Sequence, residues 1–178
     1  YSNPATSATV AKVFINHGVK PTKKGYSFIV IPAATNASMQ VMTQNYKNLF
    51  RINQQNSSMH SVTFLQDNIN AYTFFEPVDG LNVGNVKSAN SRMLLMEKED
   101  LENNSIQFAA SCPDLNPVSD TDFGWRSTSK SADLVLVGEW QLQNPVQGVV
   151  FSTPVNGETN VSLIFSEGNP VYFNVKMF

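Results

Sequence analysis

Along most of the chain apolar and polar residues alternate with a period of two, in short runs separated by Gly, Pro, Asn and Asp. That period puts successive side chains on opposite faces of a strand. After a polar, turn-rich lead-in at residues 1–9 come two apolar runs, 10–16 (VAKVFIN) and 26–31 (YSFIVI). Gly18, Pro21 and Gly25 punctuate the loop between them, Lys20, Lys23 and Lys24 keep its tip in water, and Pro32 has no amide to continue a ladder. The pattern predicts a hairpin apolar enough to need another sheet against it.

The period lengthens once. Met39, Met42 and Tyr46 recur at three-to-four-residue spacing behind Thr35 or Asn36 as a cap, which predicts a helix of about three turns ending near Asn48. The two methionines are expected to fill gaps against a sheet. Alternation then returns, predicting strands at 49–52, 61–66 and 71–75, with the hairpin loop 67–70 between the last two. Residues 76–89, holding Pro77, Gly80 and Gly84, read as a long loop, and strands at 92–98 and 105–111 flank an acidic turn at 99–104. The stretch 112–132 reads as irregular. Strands at 133–141, 149–153, 161–165 and 171–177 close the chain, with Asn156-Gly157 as a strong turn signal. Short strands at this spacing predict an all-β protein of antiparallel β-sandwich layers with one short helix.

Composition narrows the partners. The 178 residues are 42% apolar and only 15% charged, below the usual quarter, so Asn, Gln, Ser and Thr must carry the surface. A net charge of −2 gives no long-range attraction to nucleic acid, and no nucleic-acid partner is expected. One cysteine, Cys112, excludes an internal disulfide framework and a cysteine-based metal site. No apolar run approaches a membrane span, and no membrane partner is expected. The chain starts at Tyr1 without a signal-peptide pattern and reads as a processed or excised piece of something longer. Asn-x-Ser sequons at Asn36, Asn56, Asn103 and Asn160 are too easily produced by Asn/Ser-rich tracts to fix a compartment.

Catalysis needs groups that converge. His17 sits at a strand end, where a base or a ligand is one reading and a ring bonded to loop backbone is the other. His60 lies in an Asn/Ser/Gln-rich segment, expected to be exposed. Glu97, Glu99, Asp100 and Glu102 read as one solvated hairpin tip, since like charges that close together favour water. Asp120 and Asp122 offer oxygen ligands without the spacing of a calcium loop. Trp140 alternates with valines and reads as core. Trp125, beside Phe123 and Arg126 in a polar stretch, is either an aromatic that stacks on a sugar ring or an anchor tucked over the sheet. With no Gly-rich phosphate loop, Gly-x-Ser-x-Gly or His-Glu-x-x-His, the residues alone show no active site.

Several ordered blocks, however, resemble polysaccharide lyase family 8. They are VFINHGVKP with GYSFIVIP, then AYTFFEP, SCPDLNP, VLVGEWQL and FSEGNPVYFNVKM. The resemblance runs from Val10 to the C-terminus, and taken together the blocks look like the C-terminal end of a chondroitin sulfate ABC lyase. It implies residues 1–34 as the end of a central sandwich domain and 35–178 as a C-terminal β-sandwich. Family members cleave glycosaminoglycans by β-elimination, with catalytic Asn, His, Tyr and Arg residues on a helical toroid. This sequence has no toroid and no counterpart of those residues, while His17 matches a hairpin histidine taken as structural. The implied role is therefore a non-catalytic β-portion that braces the catalytic domain and walls the substrate cleft of a secreted or periplasmic bacterial enzyme. Its partners would be the rest of the lyase chain and, through it, chondroitin or dermatan sulfate. No cofactor is expected in this piece, and the metal requirement of the parent would lie elsewhere. The rival reading is a stand-alone carbohydrate-binding or adhesion sandwich with Trp125 and Phe123 as its stacking platform.

Overall fold

The alternating stretches fold as antiparallel strands in two main layers. The computed structural model describes residues 14–23, 25–114, 116–120 and 124–178, with backbone alone at 116–120 and 124–128. The chain divides into two units, residues 1–39 and 40–178.

In the first unit the expected hairpin is corrected: neither 14–16 nor 26–31 joins a ladder, and residues 10–13 lie outside the described residues. The apolar side chains are exposed, Phe28 by 69% and Val30 by 75%. A two-stranded ribbon is marginal in water unless its apolar face is covered, and these side chains are in water. Local order comes instead from Asn16, whose Oδ1 accepts from the Gly18 amide at 2.8 Å, and from the rings of His17, Tyr26 and Phe28.

The helix α1 (Asn36–Leu49) forms where the spacing placed it. Thr35 caps it: the Ser38 amide donates to Thr35 Oγ1 at 3.1 Å and the Thr35 amide to Ser38 Oγ at 2.9 Å, a capping box with serine in the glutamate's place. No residue of α1 is buried, so the gap-filling role expected for Met39 and Met42 is also corrected. Three side chains are too narrow a stripe to hold a helix against a sheet.

The second unit carries the core. One sheet of seven strands runs in the order β1 (Phe50–Gln55), β2 (Met59–Phe64), β3 (Ile69–Phe74), β5 (Met93–Asp100), β6 (Ser105–Ser111), β13 (Val171–Met177), β10 (Trp140–Leu142). The other runs β11 (Val149–Phe151), β12 (Glu158–Phe165), β9 (Lys130–Val137), β4 (Val86–Ala89). Their inner faces meet in one apolar cluster that includes Phe74, Leu95, Phe108 and Phe173 from the first and Val86, Leu134, Leu163 and Phe165 from the second. Phe151 meets Phe173 edge-on across the layers at 6.0 Å.

Three sequence expectations change here. The loop expected at 76–89 ends in the strand β4. The stretch expected to be irregular at 112–132 contains the hairpin β7 (Asn116–Asp120) and β8 (Gly124–Thr128) and the start of β9. The single strand expected at 133–141 is two strands in different sheets, because the chain turns at Gly138 (φ +107°), where a Cβ would lie 2.7 Å from Trp140 Nε1. Buried Thr159 fastens that crossing, its Oγ1 accepting from the Trp140 amide at 2.9 Å and donating to Gly138 O at 2.8 Å. Trp140 is core, as its alternation indicated.

Candidate functional site

The stacking pair expected from sequence is not assembled within the described residues: Phe123 lies outside them, and Trp125 sits on β8, where only the backbone is described. Asp122 is likewise outside, and Asp120 is described by backbone alone. His17 and His60 are not brought together: His17 stands 5.7 Å from the Tyr26 ring, and exposed His60 meets Phe75 edge-on at 5.0 Å. Among the described residues no group of three His, Cys, Asp or Glu is placed to hold a metal ion.

What the structure does assemble is a buried polar cluster around Glu97. The expectation that Glu97 belongs to a solvated acidic tip is overturned: it is 0% exposed, while Glu99 and Asp100 are half-buried and Glu102 is exposed. Alternation explains it, because Met93, Leu95 and Glu97 share the inward face of β5. Three hydrogen-bond partners meet at its Oε1: Asn70 Nδ2 at 2.9 Å, Tyr72 OH at 2.7 Å and the Asn85 amide at 3.0 Å. The pairing of β2, β3 and β5 sets Thr63, Asn70 and Glu97 in one row across the sheet. That row extends outward as a hydrogen-bonded chain, Arg51 Nε to Asn53 Oδ1, Asn53 Nδ2 to Thr63 Oγ1, and Thr63 Oγ1 to Asn70 Oδ1.

A segment of loop closes over the cluster. Tyr72 OH reaches Val83 O at 2.9 Å, and Asn85 Nδ2 donates to Glu99 Oε1 at 2.6 Å. At Gly84 (φ +59°) a Cβ would stand 1.6 Å from Glu97 Oε1 and 2.4 Å from Tyr72 OH, so only glycine permits the closure. Burial pushes the Glu97 carboxyl above the usual carboxylate range, and its three donors oppose the shift without cancelling it. Burial, then the Glu97 charge, pushes the Tyr72 hydroxyl up as well. Tyrosine and glutamate form an acid-base pair in principle, with asparagine as a neutral donor to it. Sealed under backbone, this set reaches no polymer.

The same loop walls an open groove of about 420 Å³, whose lining includes Asp79, Lys87, Asn90 and Glu158. Lys87 Nζ bonds Glu158 Oε1, which holds the ammonium above its usual range. Asn90 and Asp133 exchange two bonds of 2.7 Å, and Ser162 Oγ donates to the same carboxylate at 2.7 Å. The only lysine of the groove is thus engaged by a carboxylate, while Asp79 at its wall accepts from the Gly80 amide at 2.7 Å.

The opposite face of the seven-stranded sheet carries exposed apolar side chains. Register aligns Ile52, Val62, Ala71, Met96, Ala109 and Tyr172 in a single apolar row across six strands. Tyr172 is 65% exposed and Met96 45%. Sequence reading missed this row because it is a property of register, which no one strand carries.

No family model and no curated protein matches the chain. Solved structures do. A chondroitin AC lyase from Streptomyces coelicolor A3, as a point mutant, superposes with a TM-score of 0.60 at 7% identity over 82% of this chain and 17% of its own. The same lyase in complex with chondroitin sulphate gives 0.60 at 8% identity, over 83% and 18%. A Paenibacillus xanthan lyase gives 0.55 at 14% identity, over 83% and 13%. The chain shares its fold with a part of these polysaccharide lyases and spans less than a fifth of their length.

Proposed function

We propose that this chain is the non-catalytic β-portion of a larger polysaccharide lyase, of the chondroitin ABC type that cleaves chondroitin and dermatan sulfate by β-elimination. The observation that carries the reading is the superposition of 82–83% of the chain on polysaccharide lyases, one of them bound to chondroitin sulphate. The ordered sequence blocks support the same reading. Its sealed Tyr72–Glu97 set and the pairing of the groove's lysine with Glu158 suit bracing rather than catalysis. The apolar row from Ile52 to Tyr172 is the surface offered to the rest of the lyase chain, since exposed apolar bands of this kind mark interaction faces. In this reading residues 1–34 finish a central sandwich and 35–178 form the terminal one, in a secreted or periplasmic bacterial enzyme.

Two measurements test it. Purified chain incubated with chondroitin sulfate, dermatan sulfate or xanthan should produce no ultraviolet absorbance of unsaturated uronate; turnover overturns the non-catalytic role. The intact mass of the protein from its native source should be several times that of 178 residues; a mass equal to it overturns the larger parent.

A further inference from the structure

The Glu97 cluster has a proton count that its geometry constrains. Tyr72 carries one hydroxyl proton, yet its oxygen lies 2.9 Å from Val83 O and 2.7 Å from Glu97 Oε1. A backbone carbonyl only accepts, and an ionised carboxylate only accepts. Both oxygen-oxygen contacts are at hydrogen-bond distance, and each is most favourable with a proton of its own. Tyr72 supplies one, and the other has one available source, the carboxyl itself. We propose that Glu97 is held as a neutral carboxylic acid in the folded protein at neutral pH, and that its proton latches the Val83–Asn85 segment onto the sheet.

In this arrangement the proton of the Tyr72–Glu97 contact is the carboxyl's own, so Glu97 Oε1 donates to Tyr72 and Tyr72 donates to Val83 O, while Asn70 Nδ2 and the Asn85 amide donate to Glu97. The titratable groups that face Glu97 are Tyr72 from β3 and Glu99 from its own strand; Asn70 and Asn85 are uncharged, and Phe108, its partner on β6, is apolar. The covering loop carries Glu76 and Asp79. No cation among the described residues bonds the carboxyl, so an anion there is uncompensated, as the upward push from burial reflects. When the proton leaves to solvent, the Tyr72 proton serves either Glu97 or Val83 O and the segment loses a tie.

Infrared spectroscopy of the full chain in heavy water at neutral pH should show a carboxylic-acid carbonyl band that Glu97→Gln removes. Absence of the band in the wild-type protein overturns the proposal without any variant. Hydrogen exchange gives the second readout. Between the ordinary glutamate pKa and the raised one, the closed state binds one proton more than the open state. Protection of the Asn85 amide should therefore fall about tenfold per pH unit as pH rises through that window, and be flat in Glu97→Gln. The amides of Val155 and Glu158, which close a turn in the other sheet, are the control and should be flat in both proteins. Wild-type protection at Asn85 that does not change with pH, or a slope that survives Glu97→Gln, overturns the latch.

Discussion

Two stretches of similar length have opposite fates. Residues 26–31, YSFIVI, are almost wholly apolar and stand exposed, Phe28 and Val30 by 69% and 75%. Strand β5, MLLMEKED, is half charged, yet Met93, Leu95 and Glu97 are buried to 1% or less. Apolar content did not decide which stretch was covered. Burial belongs to a position with a second layer over it. For β5 that layer is the four-stranded sheet, together with the loop that closes on Gly84. Once the layer is present, alternation selects which side chains go inside, and it selects Glu97 with the rest.

The contrast predicts a graded series. The largest loss should come from the doubly covered core: Phe165→Ala, at a side chain 1% exposed, should cost about 3–5 kcal/mol by denaturant titration. Next is Gly84→Ala. Its new methyl would press on Glu97 Oε1, held by three hydrogen bonds, and its positive φ is strained for alanine, so about 2–3 kcal/mol should be lost. A result near zero would mean that the loop is not seated on Glu97. Third is the pH dependence of stability. Because the folded carboxyl is raised, its contribution is fully present below the ordinary glutamate pKa and declines as pH rises toward the folded value. The decline should be about 1.4 kcal/mol per pH unit, read as the difference between wild-type and Glu97→Gln midpoints. The smallest effect should come from the apolar but exposed stretch, where Val30→Ser should change stability by less than about 0.5 kcal/mol. A large loss there would show Val30 buried in solution and erase the contrast.

Much of the architecture was legible because its causes are local. Strand β13 occupies the predicted residues, 171–177, and Asn156-Gly157 turns between β11 and β12 with both residues at positive φ. Thr35 caps α1 as its hydroxyl suggests. The misses share another cause. At 133–141 the alternation continues straight through Gly138, and nothing within it signals that the chain changes sheets there. The four residues of β4 are too short a run to stand out inside a Pro- and Gly-punctuated loop, and their order comes from pairing with β9. Glu97 was misplaced because neighbouring acids were weighed together. Its parity with Met93 and Leu95 was the available signal, and parity outranks local charge once a strand has a buried face.

The sequence by itself determined where strands and turns lie and that the protein is mostly β, since a period of two and turn chemistry act within a few residues. Only the tertiary structure decided which sheet each strand joined, that a glutamate would be sealed under a glycine, and that the most apolar run near the start would face water. Those outcomes depend on which surfaces meet, and a surface is made by neighbours far apart in the chain.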